Sequence, residues 1–204
     1  MVDHPLVQHK LGVLRDTRTT TQMFRQLVNE LTLLLAYEAT KDLVTEPGRV
    51  RTPNGECDVR RISGKKVAVC PIMRAGLGML DAVLSLIPGA RVGFVGLYRD
   101  EGTLEPVEYY RKLPSDIAAR EVIVLDPMLA TGNSTAAAVD LVKKGGAQSV
   151  RLIALIAAPQ GIERVHRDHP DVTIVVAGVD EGLDDRGFIV PGLGDAGDRL
   201  YATR

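Results

Sequence analysis

Apolar side chains recur at Met23, Phe24, Leu27, Val28, Leu31, Leu34 and Leu35. That spacing of three to four residues predicts a helix over residues 20–43 with one buried stripe, ended by Glu46-Pro47-Gly48. The pattern then changes to short apolar runs at 67–72, 91–97, 122–125, 150–158 and 172–179. Such runs fit strands covered on both faces. Helical stretches lie between them: one to about residue 86, closed by Pro88-Gly89; one closed by Gly145-Gly146 after Lys143-Lys144; and one over 161–169 before Pro170. Strands alternating with helices predict an α/β fold: a parallel sheet with right-handed crossovers and helices on both faces. Residues 1–19 read as a polar lead-in, and 49–61 as a charged, turn-rich stretch with no assigned chemistry. Pro106 and Pro114 bracket a polar, aromatic segment that reads as a protruding hairpin or flap. Its Tyr109 and Tyr110 serve either a dimer contact or the cover of the arm itself.

Residues 121–147 carry the clearest chemistry. Asp126 breaks an apolar run with a charge, and Pro127 has no N–H to donate, so the strand ladder should stop there. Thr131-Gly132-Asn133-Ser134-Thr135 then opens a helix, with Ser134 or Thr135 as the expected N-cap. A small-residue loop at a helix start points N–H groups and the positive dipole end at one spot, which suits a phosphate. An acid at the strand end can accept hydrogen bonds from the hydroxyls of a sugar attached to that phosphate. The pattern fits a sugar phosphate; an ordinary strand–loop–helix crossover would share much of it. A second such unit follows residues 67–72, where Arg74-Ala75-Gly76-Leu77-Gly78 offers a guanidinium and two glycines. Glycine lets backbone approach a ligand and arginine grips oxyanions, although a loop arginine in a surface ion pair would look the same. Near the end, Gly192, Gly194 and Gly197 match G-x-G-x-x-G, but the Rossmann fingerprint needs a following helix and strand with an acid about twenty residues on, so a dinucleotide site is not expected here.

Composition narrows the classes. The 204 residues are 45% hydrophobic and 25% charged, enough for one domain, here 1–204, with a real core. A net charge of −1 gives no electrostatic case for nucleic acid or a membrane surface as partner. Cys57 and Cys70 have no metal-ligand spacing, and Cys70 lies in an apolar run, so a reducing cytoplasm is the expected setting. No signal-peptide pattern or membrane-length apolar run is present. His166 and His169 sit three apart without a third ligand and read as surface residues, as do His4 and His9. Glu181, Asp184 and Asp185 read as a solvated turn.

V-L-D-P-M-L-A-T-G-N-S resembles the phosphoribosyl pyrophosphate (PRPP) loop of the type I phosphoribosyltransferases, and the wording from Asp126 to Gly132 is similar to the uracil phosphoribosyltransferase branch. M-R-A-G-L-G is similar to the pyrophosphate loop, P-G-L-G-D-A-G-D to the uracil-binding segment, and the N-terminal part to a hood, here about 1–48 with 180–204. The resemblance implies transfer of a phosphoribosyl group from PRPP to uracil, giving UMP and pyrophosphate, with Mg²⁺ bound largely through PRPP. It implies Arg74 and Arg99 on PRPP, and Asp126 on the ribose hydroxyls. Pro127, Met128, Leu129, Ala130, Thr131, Gly132, Asn133 and Ser134 would form the phosphate loop. Uracil would be read through the backbone of Ile189, Gly194 and Ala196. Asp195 would lie between base and PRPP, the candidate for assisting N1 or orienting metal-bound water; Asp195, Asp126 and Arg74 form the implied catalytic set. A homo-oligomer and a purine-nucleotide activator such as GTP are further implications. Three positions depart from the pattern: Leu125 in place of a second acid found outside this branch, Asn133 in place of a second glycine, and Phe188 in place of tyrosine. Two rivals stay open: another base on the same fold, or a PRPP- or nucleotide-sensing regulator, with RNA as one conceivable partner, which would need a basic face.

Overall fold

A computed structural model of the protein describes residues 1–64, 67–99 and 106–203, without the Arg99 side chain. The tip of the expected arm and the expected contact from Arg99 therefore lie outside the described residues. Among those described, an eight-stranded sheet forms the centre. Its strands are β3 (Val67–Met73), β4 (Arg91–Val92), β5 (Phe94–Arg99), β6 (Pro106–Lys112), β7 (Glu121–Leu125), β8 (Met128–Leu129), β9 (Ser149–Ala157) and β10 (Thr173–Val179). The order is β10-β9-β7-β3-β5-β6, with β4 beside β3 and β8 beside β9; every pairing is parallel except β5–β6. The antiparallel β5–β6 pair is the expected arm. Gly93 divides the expected third strand, its N–H donating to Val69 O at 2.9 Å.

Along β7 the side chains alternate between two cores. Val122 and Val124 pack with α4 (Asn133–Lys144) and α5 (Pro159–Asp168), through Ala138, Val139, Val142 and Val165. Ile123 and Leu125 pack on the opposite face, with Phe24, Leu31 and Leu35 from α2 (Thr21–Ala39) and Val83 from α3 (Leu80–Leu86). Unbroken apolar runs arise because both faces of the central strands are covered.

The structure corrects several expectations. The lead-in contains α1 (Pro5–Arg15), which buries only Val7, Leu11 and Leu14, a stripe diluted by polar neighbours. The turn-rich stretch is an antiparallel ribbon of β1 (Thr45–Thr52) and β2 (Gly55–Ile62), paired from Thr45↔Ile62 to Thr52↔Gly55. Both of its faces are largely exposed, so it has no apolar alternation to reveal it. Helix α2 ends at Ala39, where the Thr40 hydroxyl donates to Ala36 O at 2.7 Å, and the expected terminator Glu46-Pro47-Gly48 is part of β1. The ladder does not stop at Pro127: its carbonyl accepts from Leu155 N and Ile156 N at 3.0 and 3.2 Å, and pairing resumes in β8. His166 is exposed, but His169 is buried and its Nε2 lies 3.1 Å from Ala136 O.

Arginines tie the two ends of the chain together. Arg15 pairs with both Asp180 oxygens, at 2.7 and 2.5 Å, and donates to Gly192 O at 2.6 Å; Gly192 N donates to the same carboxylate at 2.9 Å. Arg25 donates to Leu200 O at 2.6 Å. Arg199, in α6 (Ala196–Tyr201), donates to Asp16 O and Leu193 O and lies 4.3 Å from the Phe24 ring centre.

One backbone approach sets how the strand-end loops meet. A Cβ at Gly76 would lie 2.3 Å from the Leu125 carbonyl oxygen. Gly76→Ala is expected to lower stability by about 2–3 kcal/mol, because backbone on both sides must shift. Urea unfolding of the two proteins checks this, and an unchanged midpoint would refute it.

Candidate active site

Strand β7 ends at Leu125, and the next residue is Asp126. Its backbone N–H donates to Ile153 O at 3.2 Å, which holds the strand end in the sheet. Its carboxylate accepts from Thr135 Oγ1 at 2.8 Å and from Met128 N at 3.4 Å. Burial pushes the carboxyl up to about 6, against the lowering effect of those two donors. The chain then turns through Thr131 and Gly132 into α4. Gly132 is the N-cap, at φ 79°, and no side chain caps the helix. The expected Ser134 or Thr135 cap is thus absent: Thr135 sends its hydroxyl back to Asp126 instead. A helix start without a side-chain cap has first-turn N–H groups of the kind that can receive an anion.

A cleft of about 230 Å³ opens at this point. Arg74, Asp126, Met128, Ala130, Thr131, Gly132 and Ser134 line it, together with Thr135 and with Met73 and Leu97 from neighbouring strands. The structure therefore brings Arg74 and Asp126 to one cavity from two separate strand–loop units. Arg74 is exposed, and its guanidinium makes no ion pair among the described residues. After it the chain runs through a 3₁₀ turn, Ala75–Met79, into α3. Of the remaining loop residues, Pro127 and Leu129 are buried in the sheet, and the Asn133 side chain accepts from Arg164 Nε at 3.0 Å. The sequence marked Thr135 as a cap but not as a partner of Asp126, because only the tertiary path shows where its hydroxyl points.

The C-terminal segment lines a second cleft, of about 450 Å³, formed by Gly194, Asp195, Phe188, Asp198, Arg199 and the threonines 17, 19 and 21. Gly194 and Asp195 are exposed, whereas Ile189 and Ala196 are buried. Gly192 and Gly194 have φ of 65° and 79°, backbone that glycine adopts without strain. Asp195 is the N-cap of α6, accepting from Asp198 N at 2.9 Å, so one of its oxygens is engaged. The threonines went unnoticed in a polar lead-in, although the run Thr17-Arg18-Thr19-Thr20-Thr21 was a signal of clustered hydroxyls. Three approaches join this segment to the first cleft. The Tyr201 hydroxyl donates to Arg74 O at 3.1 Å. Methyl groups at Gly187 and Gly197 would lie 3.6 Å from Thr131 Cγ2 and 3.9 Å from Ala75 Cβ.

No group of three His, Cys, Asp or Glu side chains suited to a metal occurs among the described residues. Among the described residues lining the first cleft, Asp126 is the one carboxylate, and Mg²⁺ commonly binds through one or two carboxylates together with phosphate oxygens and water. Among the described residues, no helix is long and apolar enough to cross a membrane.

The raised Asp126 carboxyl has a consequence for stability. The folded state holds this proton more tightly than the unfolded chain, for which the ordinary value is 3.8. Stability from this group is therefore greatest below pH 4 and is lost as pH rises through about 6. Asp126→Asn is expected to raise stability at pH 8 by about 2 kcal/mol, with the gain fading towards pH 4. Thermal unfolding of both proteins across that range tests this, and a gain independent of pH would contradict it.

Comparison with known proteins agrees with this architecture. The family model described as uracil phosphoribosyltransferase matches residues 1–203. The chain is 57% identical over 204 residues to the uracil phosphoribosyltransferase of Thermoanaerobacter sp. (strain X514), covering 100% of this chain and 97% of the relative. It superposes on the solved AQ2163 protein of Aquifex aeolicus with a TM-score of 0.93 at 41% identity, covering 99% and 97% of the two chains. A hypoxanthine-guanine phosphoribosyltransferase from Bacillus anthracis shares the fold alone, with a TM-score of 0.52 at 13% identity over 78% and 80% of the chains. With the strand-end cleft, the terminal glycine loop and these full-length matches in agreement, the chain belongs to the uracil phosphoribosyltransferase family.

Proposed function

We propose that this protein transfers the 5-phosphoribosyl group of PRPP to uracil, forming UMP and releasing pyrophosphate. The observation that carries the reading is the shared cleft, where Arg74 and Asp126 face the start of α4. PRPP presents a 5′-phosphate, two ribose hydroxyls and a diphosphate. The α4 N-terminus with Ala130, Thr131, Gly132 and Ser134 offers N–H and hydroxyl donors to the 5′-phosphate. Asp126 accepts from the ribose hydroxyls. Arg74 takes the diphosphate, bidentately where geometry allows, and Arg99 is its expected companion. Mg²⁺ bound on the diphosphate would neutralise charge as that group departs.

Uracil presents an edge of carbonyl, N–H and carbonyl, which backbone groups can read where no side chain intervenes. In this reading the backbone at Ile189, Gly194 and Ala196 supplies that match, and Asp195 stands between base and sugar. The C1′–oxygen bond to pyrophosphate breaks, the C1′–N1 bond forms, and the N1 proton passes to Asp195 or water. Holding N1 in line with C1′ is a large part of the rate. The ties from Arg15, Arg25 and Arg199 support a hood of segments 1–48 and 180–204 that keeps the base site over the phosphate site. An assembly of more than one copy, activation by GTP and a cytoplasmic setting complete the reading; the first two rest on the resemblance and the third on the two unpaired cysteines.

Product formation from PRPP, Mg²⁺ and uracil, with cytosine and hypoxanthine as controls and with or without GTP, is the direct test. UMP from uracil alone is expected; no product from any base, with saturable PRPP binding retained, would favour a regulator. Arg74→Ala is expected to lower kcat/KM for PRPP about a hundredfold, the usual cost of removing a group that stabilises developing charge. Parental kcat/KM in that variant would end its assignment to the diphosphate.

A further inference from the structure

Asp126 faces a conflict that its sequence neighbours do not resolve. It must stay ionised to accept from two sugar hydroxyls, yet burial favours its neutral form. From its own loop it accepts the Met128 N–H at 3.4 Å, which is long for a hydrogen bond. The short contact comes from outside the loop. Thr135, the third residue of α4, is 2% exposed and directs Oγ1 to Asp126 Oδ2 at 2.8 Å. This hydroxyl spans from the helix to the strand end instead of capping its own helix. Among the described residues lining the cleft, Arg74 on the 3₁₀ loop is the one other charged side chain. Thr131 and Ser134 on the phosphate loop, Met73 on β3 and Leu97 on β5 are uncharged.

We propose that Thr135 is a positioning residue for sugar binding: by donating to Oδ2 it fixes the Asp126 carboxylate as an acceptor and leaves Oδ1 for the ribose hydroxyls. The proposal rests on the reading of Asp126 given above. It assigns Thr135 no contact with the reacting atoms. A hydroxyl is what the position requires, so serine should serve, whereas valine, of nearly the same shape, should not.

The test is the pH dependence of kcat/KM for PRPP, which reports groups of the free enzyme and free substrate. In Thr135→Val the acid limb should move up by about one pH unit, the direction expected when a donor to the charged form is lost. KM for uracil should be unchanged, and Thr135→Ser should restore the parental profile. Should the valine protein not fold, Thr135→Ala carries the same expectation. An equal loss at every pH, or a profile superimposable on the parent, overturns the proposal. Asp126→Asn separates the two claims. If that variant is crippled while Thr135→Val keeps the parental profile, only the role of Thr135 falls. If Asp126→Asn itself keeps parental kcat/KM for PRPP, the sugar-binding reading of Asp126 falls and takes the role of Thr135 with it.

Discussion

The arrangement depends on one contact between backbones, where Gly76 passes over the carbonyl of Leu125 with no room for a methyl group. Strands β3 and β7 are adjacent and parallel, so their loops emerge at the same edge of the sheet. The bare glycine lets the 3₁₀ turn settle onto the end of β7, and Arg74 thereby reaches the cavity of Asp126. A similar approach recurs on the other side of the sheet, where a Cβ at Gly161 would lie 2.4 Å from Ala130 O. The end of β7 and the loop after it are thus each approached closely by backbone, one from either face of the sheet.

Much of this was legible in the sequence, for a physical reason. Strands buried on both faces need continuous apolar runs, and the runs at 67–72, 122–125, 150–158 and 172–179 gave the sheet. Asp126 and Arg74 stood out because a charge at the end of such a run needs an explanation. The elements that escaped were those whose burial is thin or nil. Helix α1 buries three side chains, and the β1–β2 ribbon is held by its own ladder and by surface pairs such as Arg49–Glu56. At the site, residue type identified the acid and the arginine. It could not reveal that Thr135 turns back to Asp126, or that threonines near residue 19 face the C-terminal glycines, since both depend on how distant segments fold together.

The C-terminal segment has little regular structure of its own, only the short β11 (Gly182–Leu183) with β12 (Ile189–Val190), and α6. Asp184 shapes the connection by accepting from Arg186 N and Phe188 N, which presents Phe188 to the second cleft. Its path is otherwise set by three arginines that satisfy its carbonyls. Guanidinium groups suit this task, because each can serve a carboxylate and a carbonyl at once in a fixed plane. Arg15 does so with Asp180 and Gly192.

That clamp joins residues 165 and 177 positions apart in the chain. Contacts of such separation form only after a large loss of chain entropy, so they close late in folding. A chain emerging from the ribosome has Arg15 long before Asp180 and Gly192 exist to receive it. Strands β3, β7 and β9 with α4 are complete well before that. The cavity beside Asp126 is therefore older, in the life of each molecule, than the cavity beside the terminal glycines.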